Sequence, residues 1–579
     1  MHVSYIYIFS FGVLKNIGLH FDHRFVFDME DGVLRVRRNT DPLPEQFWGG
    51  GIYSMTAIVG NNGSGKTTAL QLMKRLFVDG APRHEGVDTV IVYEEEGVLY
   101  VYSPKDIIIE SADDVEVRTI ETRITIETFY YSSHFQPYVG SDDMELAGCY
   151  DGSDSWLLIK DLQDYSNVDT LHLSEPLYNH LLAYYAQNNY RICEVLMLPN
   201  LDEVLKSVRL PQFVQFAPNM GGWNAIRLDR MGRFEDIDIP GVRWTSRNPR
   251  ELALEQLIFY DIINLIAEDK GDKKELENIL KDWQLSDKGE SVVASVKNML
   301  NDNAMSNKTR EALHSLVYTM ERINGLCDFD EQTGIFYLDV KNGVERLRNL
   351  VENLIRSQYF LTAKFFDIFY SHDLTGTTRL SSGEQELLNL LSRLYYGISL
   401  LPFKCADKRS PRLLLLDEAE IGFHPEWQLQ FVRVLTEFIH YLRVKAGIDF
   451  QIVITSHSPI ILSDMPVSCV NFLRRDGNTT ALVTNEQETF GENVFNLYRR
   501  VFFMNEGLVG AFAHDKIGKL VEDIENRRDV ENLPKRIRMV GDQQIRNYLA
   551  MKYAGIDQRG AITLLEEQIQ QIKNGAPWN

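Results

Sequence analysis

A glycine-rich stretch near the start of the chain has the residue types and spacing that bind the phosphates of a nucleotide. Residues 60 to 68 read GNNGSGKTT, with the apolar run MTAIV directly before them and the amphipathic stretch ALQLMKRLF directly after them. Glycines let backbone amides converge on a phosphate, and the N-terminus of the following helix adds its positive dipole end. The predicted phosphate-binding residues are Gly60, Asn61, Asn62, Gly63, Ser64, Gly65, Lys66, Thr67 and Thr68.

Two side chains of this stretch could act directly on a nucleoside triphosphate. Lys66 would neutralise the β and γ phosphates, and the Thr67 hydroxyl could ligate Mg²⁺. The match to G-x-x-x-x-G-K-[ST] is complete and lies between a predicted strand and a predicted helix, as the motif requires. The stretch therefore predicts a site for a nucleoside triphosphate with Mg²⁺.

Two acids end a second apolar run. Residues 413 to 416 are four leucines, typical of a buried parallel strand, and Asp417 and Glu418 follow them. Asp417 would hold Mg²⁺ through water, and Glu418 would polarise the attacking water as general base. Acids at a strand end are often turn formers, but the phosphate loop favours the catalytic interpretation.

A histidine follows a third short apolar run. Residues 452 to 454 predict a buried strand, and His457 comes just after its end in the sequence ITSHS. A histidine at this place can hydrogen-bond a γ-phosphate and respond to its presence. A lone histidine is usually structural, yet three strands would now deliver polar residues to one sheet edge, where open α/β sheets bind ligands.

The stretch LSSGEQ, from Leu380 to Gln385, precedes a leucine- and tyrosine-rich segment that predicts a long buried helix. Taken alone, Ser-Ser-Gly before a helix is ordinary N-cap chemistry, because a hydroxyl accepts from the free amides of the first turn.

In their order along the chain, GNNGSGKT, LSSGEQ, LLLLDEAE and ITSHS resemble the motifs of ABC-type ATPase heads of the SMC, DNA-repair and overcoming-lysogenization-defect group. The resemblance covers about residues 1 to 140 and 371 to 515. It implies an α/β fold with a mixed β-sheet, an antiparallel β lobe and a large helical insertion. It also implies ATP as the nucleotide.

The resemblance gives LSSGEQ a function in a second subunit. In such heads this signature loop completes the ATP site of a partner in a head-to-tail homodimer, so Ser381 and Gly383, with Glu384 beside them, would bind the partner's γ-phosphate. Ser382 stands where the commoner form has glycine. The family also carries a glutamine that senses Mg²⁺ and the attacking water. Gln136 is the best match, although it is equally well explained as a loop residue.

The place after the two acids, which the family uses for its D-loop, is occupied by His424 and Pro425. These residues could equally be a helix N-terminus with proline at its first position.

We predict four segments: an N-terminal ATPase lobe at 1–140, a helical insertion at 141–370, a C-terminal ATPase lobe at 371–515 and a helical tail at 516–579. The insertion has apolar residues at three- and four-residue spacing but no sustained heptads, which disfavours long coiled-coil arms. In the tail, Ile562, Leu565, Ile569 and Ile572 fall on one helical face, which predicts a contact with a protein or with its own domain.

The tail shows no Asp-x-Asp and is too short for a metal-dependent nuclease domain, so we expect no intrinsic nuclease. The stretch after His457 resembles stand-alone ATPases of bacterial anti-phage systems, including the Septu ATPase and retron-associated relatives. This resemblance implies an ATPase that controls a separately encoded effector, which would be a nuclease. The alternatives are a non-hydrolysing ATP-bound scaffold that sequesters a toxin or effector, an ATPase of DNA repair, and the ATPase subunit of a membrane transporter.

Composition is compatible with this interpretation. Of the 579 residues, 44% are hydrophobic and 25% charged, as in globular proteins, and the five cysteines include no Cys-x-x-Cys pair, so we expect a reducing cytoplasm. No apolar segment is long enough for a membrane span. The net charge of −22 opposes unspecific binding to nucleic acid. Local basic clusters leave nucleic-acid binding open: Arg35, Arg37, Arg38, Arg527, Arg528, Lys535, Arg536 and Arg538.

Overall fold

The computed structural model describes residues 1–77, 88–112, 114–134, 149–166, 177–218, 248–268, 297, 307–355, 366–375, 378–400, 411–483, 488–500 and 509–573. The chain divides into two compact units, Met1–Leu497 and Tyr498–Asn579. The predicted phosphate loop, acids, histidine and signature loop all lie in the first unit.

The strands of the described residues are, in chain order, β1 (His2–Phe11), β2 (Leu14–His20), β3 (Phe25–Glu30), β4 (Val33–Arg38), β5 (Ile52–Gly60), β6 (Thr89–Glu95), β7 (Val98–Tyr102), β8 (Ile108–Ser111), β9 (Val117–Ile120), β10 (Thr128–Ser132), β11 (Cys149–Asp151), β12 (Phe213–Pro218), β13 (Asp328–Asp330), β14 (Ile335–Asp339), β15 (Phe366–Ser371), β16 (Arg412–Asp417), β17 (Phe450–Ser456), β18 (Val470–Asp476) and β19 (Thr479–Val483).

The helices are α1 (Lys66–Leu76), α2 (Asp154–Ser166), α3 (Leu177–Leu196), α4 (Leu201–Val204), α5 (Pro249–Glu268), α6 (Asn307–Leu326), α7 (Val344–Leu350), α8 (Ser382–Tyr395), α9 (Pro425–Ala446), α10 (Pro459–Leu462), α11 (Val494–Arg500), α12 (Ala511–Glu525), α13 (Leu533–Arg538), α14 (Gln543–Tyr553) and α15 (Gln558–Lys573). Short π-helical turns extend α7 and α8, over Val351–Ile355 and Tyr396–Leu400.

The largest sheet of the described residues has twelve strands in the order β11-β10-β16-β17-β5-β18-β19-β2-β1-β6-β7-β9. The first six strands of this order run parallel, and β19, β2, β1, β6 and β7 include the antiparallel pairs. Smaller sheets have the orders β13-β14-β12-β15 and β3-β4-β8. This large mixed sheet with its helices confirms the predicted α/β class.

The centre of the sheet is apolar on both faces, as expected for parallel strands covered by helices. The leucines of β16 and every residue of β17 are buried. Because β10, β16, β17 and β5 are parallel neighbours, their carboxyl ends meet at one edge. The register places Asp417 opposite Ser132 on one side and opposite Thr455 on the other.

The long helix α9 follows the two acids and shows clear start and stop signals. His424 is its N-cap, with ring Nδ1 accepting from the Glu426 amide at 3.4 Å, and Pro425 is in the first turn. Gly447 ends the helix in the left-handed conformation, φ 68°, which suits glycine. His424 and Pro425 therefore form a helix N-terminus, which was one of the two interpretations of their sequence.

The segment 141–370 contains strands as well as the predicted helices. β12 pairs antiparallel with β14 and β15, while β11 pairs parallel with β10 at the end of the large sheet. The helical prediction was therefore incomplete, because strands of three to six residues give too short an alternation to stand out beside long amphipathic helices. The predicted segment boundaries themselves stay predictions.

Buried polar contacts fix the helix that follows the signature loop. Arg393 of α8 is fully buried, and its Nη1 donates to the Gly152 carbonyl at 3.1 Å. Asn389 Oδ1 accepts from Asn188 Nδ2 of α3 at 3.1 Å. Because unpaired buried polar groups are costly, these bonds specify how α8 packs beside β11 and α3.

The second unit is a small helical cluster whose core includes Leu533, Ile537 and Leu549. On α15, Leu565 packs against this core, whereas Ile562 and Ile569 are about half exposed, at 48% and 50%. The side chain of Ile572 lies outside the described residues. Within the described helices, none is long and apolar enough to cross a membrane.

Candidate active site

The phosphate loop joins β5 to α1 and needs its glycines for two separate reasons. A Cβ on Gly60 would lie 2.0 Å from the Leu473 carbonyl oxygen of the neighbouring strand, so no side chain fits there. Gly63 and Gly65 have φ values of 73° and 92°, a left-handed conformation that L residues rarely adopt. The loop therefore keeps this shape only with glycine at these positions.

The first turn of α1 is left free of side-chain caps. Its N-cap residue is Gly65, which can offer no side-chain hydrogen bond to the free amides. Asn61 Oδ1 and Ser64 Oγ are buried and have no hydrogen-bond partner among the described residues. Uncapped amides and unpartnered polar atoms in a glycine loop fit a bound phosphate group.

Lys66 is 4% exposed and folds back over the loop. Its Nζ donates to the carbonyl oxygens of Gly60 at 3.2 Å and Asn61 at 3.4 Å. Burial lowers the pKa of Lys66, while the acids at residues 417, 418 and 420 act in the opposite direction. The ammonium group is therefore held at the mouth of the loop, close to acids that lie on the next strands.

Asp417, at the end of β16, accepts hydrogen bonds from three hydroxyl groups. Its Oδ1 accepts from Thr455 Oγ1 at 2.5 Å and from Thr67 Oγ1 at 3.2 Å. Its Oδ2 accepts from Tyr130 OH at 3.3 Å. Burial raises the pKa of Asp417. A carboxylate beside a threonine hydroxyl is a donor set that suits Mg²⁺, so Thr67 and Asp417 fit the predicted metal role.

Glu418 stands in a left-handed conformation, φ 50°, with its carboxylate between two histidines. His134 Nε2 lies 2.7 Å from Oε2, and His457 Nε2 lies 3.1 Å from Oε1. The bonds from His457 and His134 lower the pKa of Glu418 to about 2, against the effect of burial. A non-glycine residue with positive φ is uncommon and is found often at active sites.

The backbone of Glu418 is tied to both neighbouring strands. Its amide donates to Thr455, whose Oγ1 is 3.0 Å away, and its carbonyl accepts from Ser133 Oγ at 2.6 Å. These bonds hold the strained residue in place from two sides. The general-base candidate is therefore positioned by the strand ends rather than by a free loop.

The signature loop begins α8 with a complete capping box. Ser381 Oγ accepts from the Glu384 amide at 3.3 Å, and Glu384 Oε2 accepts from the Ser381 amide at 2.8 Å. Glu384 Oε1 lies 3.2 Å from Nε2 of the buried His372. A Cβ on Gly383 would lie 3.3 Å from Trp427 Cδ1. Ser381 and Ser382 themselves are exposed.

The structure thus brings together most of the predicted residues. Lys66, Thr67, Asp417, Glu418 and His457 meet at the carboxyl edge of the parallel strands. Ser381, Gly383 and Glu384 lie together at the start of α8, where the hydrogen bonds described run within the loop and to His372. Asn62 is exposed and Thr68 half-buried on the phosphate loop side. Gln136 lies outside the described residues.

Sequence reasoning missed several residues of this edge. His134 contacts the carboxylate of Glu418, and Tyr130 and Thr455 contact Asp417. Glu420 is 2% exposed, accepts a hydrogen bond from Ser456 Oγ, and burial raises its pKa to about 7. Position offers a signal for Thr455, which directly follows the predicted strand at 452–454, and for Glu420, which comes just after the two acids.

Four of the eight residues of the basic clusters pair with acids within the described part of the chain. Arg35 Nε donates to Glu110 at 3.1 Å, and Arg38 lies 3.1 Å from Asp114. In the second unit, Arg536 pairs with Asp523 and Arg538 with Glu567, at 2.7 and 2.8 Å. These pairs reduce the positive charge that the two clusters could offer to a polyanion.

Comparison with known proteins agrees with this site. Residues 241–463 match a family described as "AAA domain, putative AbiEii toxin, Type IV TA system". The match includes the signature loop, Asp417, Glu418 and His457, whereas the phosphate loop precedes it. It supports a P-loop ATPase of the ABC and SMC-like superfamily, and hence binding of ATP.

A curated relative is protein ea59 of Escherichia phage lambda, which is 30% identical over 141 residues. The matched part is 24% of this chain and 24% of the phage protein. The chain therefore spans about a quarter of the length of that relative. Together with the site geometry, the match supports a P-loop ATPase fold, in which residues 241–463 are similar to an AAA domain.

Proposed function

We propose that this chain hydrolyses ATP with Mg²⁺, forms a head-to-tail homodimer around the nucleotide, and controls a separately encoded effector, a nuclease, in bacterial anti-phage defence. One observation carries the enzymatic part. Phosphate-loop, metal and base candidates from β5, β16 and β17 meet at one sheet edge, with Thr67 bonded to Asp417 and His457 to Glu418.

The phosphate loop performs the binding step. The free amides at the start of α1 face the β-phosphate, and the helix dipole adds to their attraction. Lys66 exchanges its bonds to the Gly60 and Asn61 carbonyls for bonds to the β and γ phosphates. Because its ammonium is already desolvated, the cation needs little further dehydration when the anion arrives.

Glu418 performs the proton transfer. A water oxygen attacks the γ-phosphorus, the bond from this phosphorus to the β–γ bridging oxygen breaks, and the water proton passes to the Glu418 carboxylate. His457 turns from Glu418 to the γ-phosphate and stabilises its charge. Thr67 and Asp417 would hold Mg²⁺, which supplies positive charge next to the transferring phosphoryl group.

The signature loop is proposed to act on the partner's nucleotide. Its support is the exposure of Ser381 at the N-terminus of α8, since a hydroxyl and a helix N-terminus are both anion donors. The Ser381 hydroxyl now contacts Glu384 and would have to turn toward an incoming γ-phosphate. The family resemblance and this exposed loop are what support the proposed homodimer.

The defence role rests on the resemblance to stand-alone anti-phage ATPases. The matched family's description names a toxin of a type IV toxin–antitoxin system, which fits a defence context. The same words favour a second candidate function, an ATP-bound scaffold that sequesters a toxin. Glu418 at hydrogen-bonding distance from His457 favours hydrolysis over a passive scaffold.

The experiment measures phosphate release by the purified full chain with Mg²⁺ and ATP. Lys66→Ala should lower the rate by at least about 100-fold, because it removes the cation that faces the transferring phosphoryl group. Lys105→Ala is the matched control, since Lys105 is exposed and pairs with Asp88. Unchanged phosphate release by Lys66→Ala would refute the ATPase proposal.

The defence role needs a separate experiment. Cells expressing the chain together with its adjacent gene are challenged with phage, beside cells in which the chain carries Lys66→Ala. We expect protection only with the intact chain and the adjacent gene together. Equal protection by the Lys66→Ala chain would favour the passive scaffold instead.

A further inference from the structure

The two oxygens of the Glu418 carboxylate are held by histidines from opposite sides. His134 follows β10 and His457 follows β17, and these strands are the two neighbours of β16 in the sheet. His134 Nε2 contacts Oε2 at 2.7 Å, and His457 Nε2 contacts Oε1 at 3.1 Å. Each carboxylate oxygen therefore contacts one histidine, so the carboxylate is oriented from both sides and each oxygen keeps a second lone pair.

The two histidines differ in the further contacts that each side of the site can make. His457 belongs to the ITSHS stretch, and the proposed function sends it to the γ-phosphate, which vacates Oε1. The His134 side has a second connection to the same residue, since the adjacent Ser133 donates to the Glu418 carbonyl at 2.6 Å. The His134 amide in turn lies 3.3 Å from Ser132 Oγ. This side of the site therefore contacts Glu418 at two places, the carboxylate and the backbone carbonyl.

We propose that His134 is a positioning residue for hydrolysis: it keeps hold of Oε2 of Glu418 when His457 leaves, so that Oε1 is the atom that takes the proton from water. The inference rests on the proposed function of the site. The two histidines then have different roles: His457 responds to the γ-phosphate, and His134 fixes the orientation of the base.

The physical reason lies in the mobility of a glutamate side chain. Three rotatable bonds separate the carboxylate from a backbone that is already in an unusual conformation. Once His457 has turned away, the side chain would sample several rotamers unless a second donor fixed it. A misplacement of about 1 Å at a reacting group can cost about 100-fold in rate. His134 supplies the remaining donor at 2.7 Å.

The experiment compares two substitutions at this position. His134→Ala removes the donor, whereas His134→Gln keeps an N–H that can reach about the place of the imidazole Nε2. We expect His134→Ala to lower kcat by about 10- to 100-fold with KM for ATP within about twofold of wild type. His134→Gln should recover most of the lost kcat. His314→Ala, at an exposed position of α6, is the matched control.

A double substitution tests whether His134 acts through Glu418. Adding His134→Ala to Glu418→Gln should cause no further loss of kcat, because the group that His134 positions is no longer a base. An additional loss of the same size as in the single variant would show that His134 acts by another route and would overturn the inference.

The remaining outcomes separate this inference from the proposed function. If Glu418→Gln is inactive while His134→Ala turns over at the wild-type rate, the proposed function stands and the positioning role is wrong. If Glu418→Gln hydrolyses ATP at the wild-type rate, Glu418 is not the general base, and the proposed function is then wrong in this respect. If His134→Ala does not fold, His134→Gln decides: a folded variant with near wild-type kcat supports the role, and one with about 100-fold lower kcat contradicts it.

Discussion

Thr67 and Asp417 are separated by 350 residues in the chain, yet the Thr67 hydroxyl donates to the Asp417 carboxylate across 3.2 Å. The contact joins the start of α1 to the end of β16, which are also the predicted phosphate-binding and metal-binding elements. A hydroxyl and a carboxylate held this close can share one Mg²⁺ without rearrangement of the backbone.

Asp417→Asn should separate metal binding from nucleotide binding. The amide keeps the size of the side chain but removes the charge that attracts a divalent cation. We expect ATP hydrolysis to fall by about 100-fold and the Mg²⁺ concentration for half-maximal rate to rise. ATP affinity measured with EDTA should stay near that of wild type. If the rate depends on the Mg²⁺ concentration as in the wild type, Asp417 is not part of the metal site.

Gly60→Ala should destroy the phosphate loop. The new methyl group would lie 2.0 Å from the Leu473 carbonyl oxygen, which is backbone and cannot move aside cheaply. We expect loss of ATP binding, measured by equilibrium titration with a fluorescent ATP analogue. Gly325→Ala in α6 is the control, because a Cβ there meets nothing within 4 Å. It should be neutral or stabilise the fold by about 0.5–1 kcal/mol. Normal ATP affinity of Gly60→Ala would contradict the loop geometry.

Ser381→Arg tests the proposed head-to-tail arrangement. Its long cation would fill the place proposed for the partner's γ-phosphate, so we expect ATP binding without nucleotide-dependent dimerisation. Mixing this variant with Lys66→Ala should restore one intact composite site per dimer. The measurement is phosphate release by each variant alone and by the mixture. An inactive mixture of folded chains that still form dimers would speak against sites shared in this way.

Glu420→Gln should change how stability depends on pH. The pKa of this buried carboxyl is about 7 in the folded protein and about 4.5 ordinarily. The folded state therefore binds the proton more tightly, so the group stabilises the fold below about pH 4.5 and this contribution is lost as the pH rises through 7. When the pH rises from 5 to 8, the thermal midpoint of the wild type should fall further than that of Glu420→Gln. The difference between the two decreases should be about 2 °C or more. Parallel pH curves would show that Glu420 does not titrate in this range.

The sequence was sufficient to place residues whose position in the fold is fixed by short-range spacing. Gly60 to Thr67 run from the end of β5 through the loop into the first turn of α1, and Asp417 ends β16 with Glu418 directly after it, so motif and position coincide. The helix start at His424 could also be read from the proline that follows it. In these places the local chain determines both conformation and chemistry.

Residues that depend on the neighbouring strand could not be found in this way. His134 meets Glu418 because β10 lies beside β16 in a particular register, and nothing in the sequence YYSSH indicates that register. The same holds for Thr455 beside Asp417. The contact of His372 with Glu384 depends on how β15 ends beside α8, which spacing of motifs does not reveal.

We propose Glu418 as the general base of an ATPase that closes on ATP. Glu418→Gln tests this role, with ATP turnover and hydrodynamic radius measured on the same preparation. Glutamine keeps the shape but cannot take the water proton, so we predict turnover lower by about 100-fold or more and accumulation of a closed dimer with ATP but not without it. Turnover at the wild-type rate, with the same radius in both conditions, would contradict the claim.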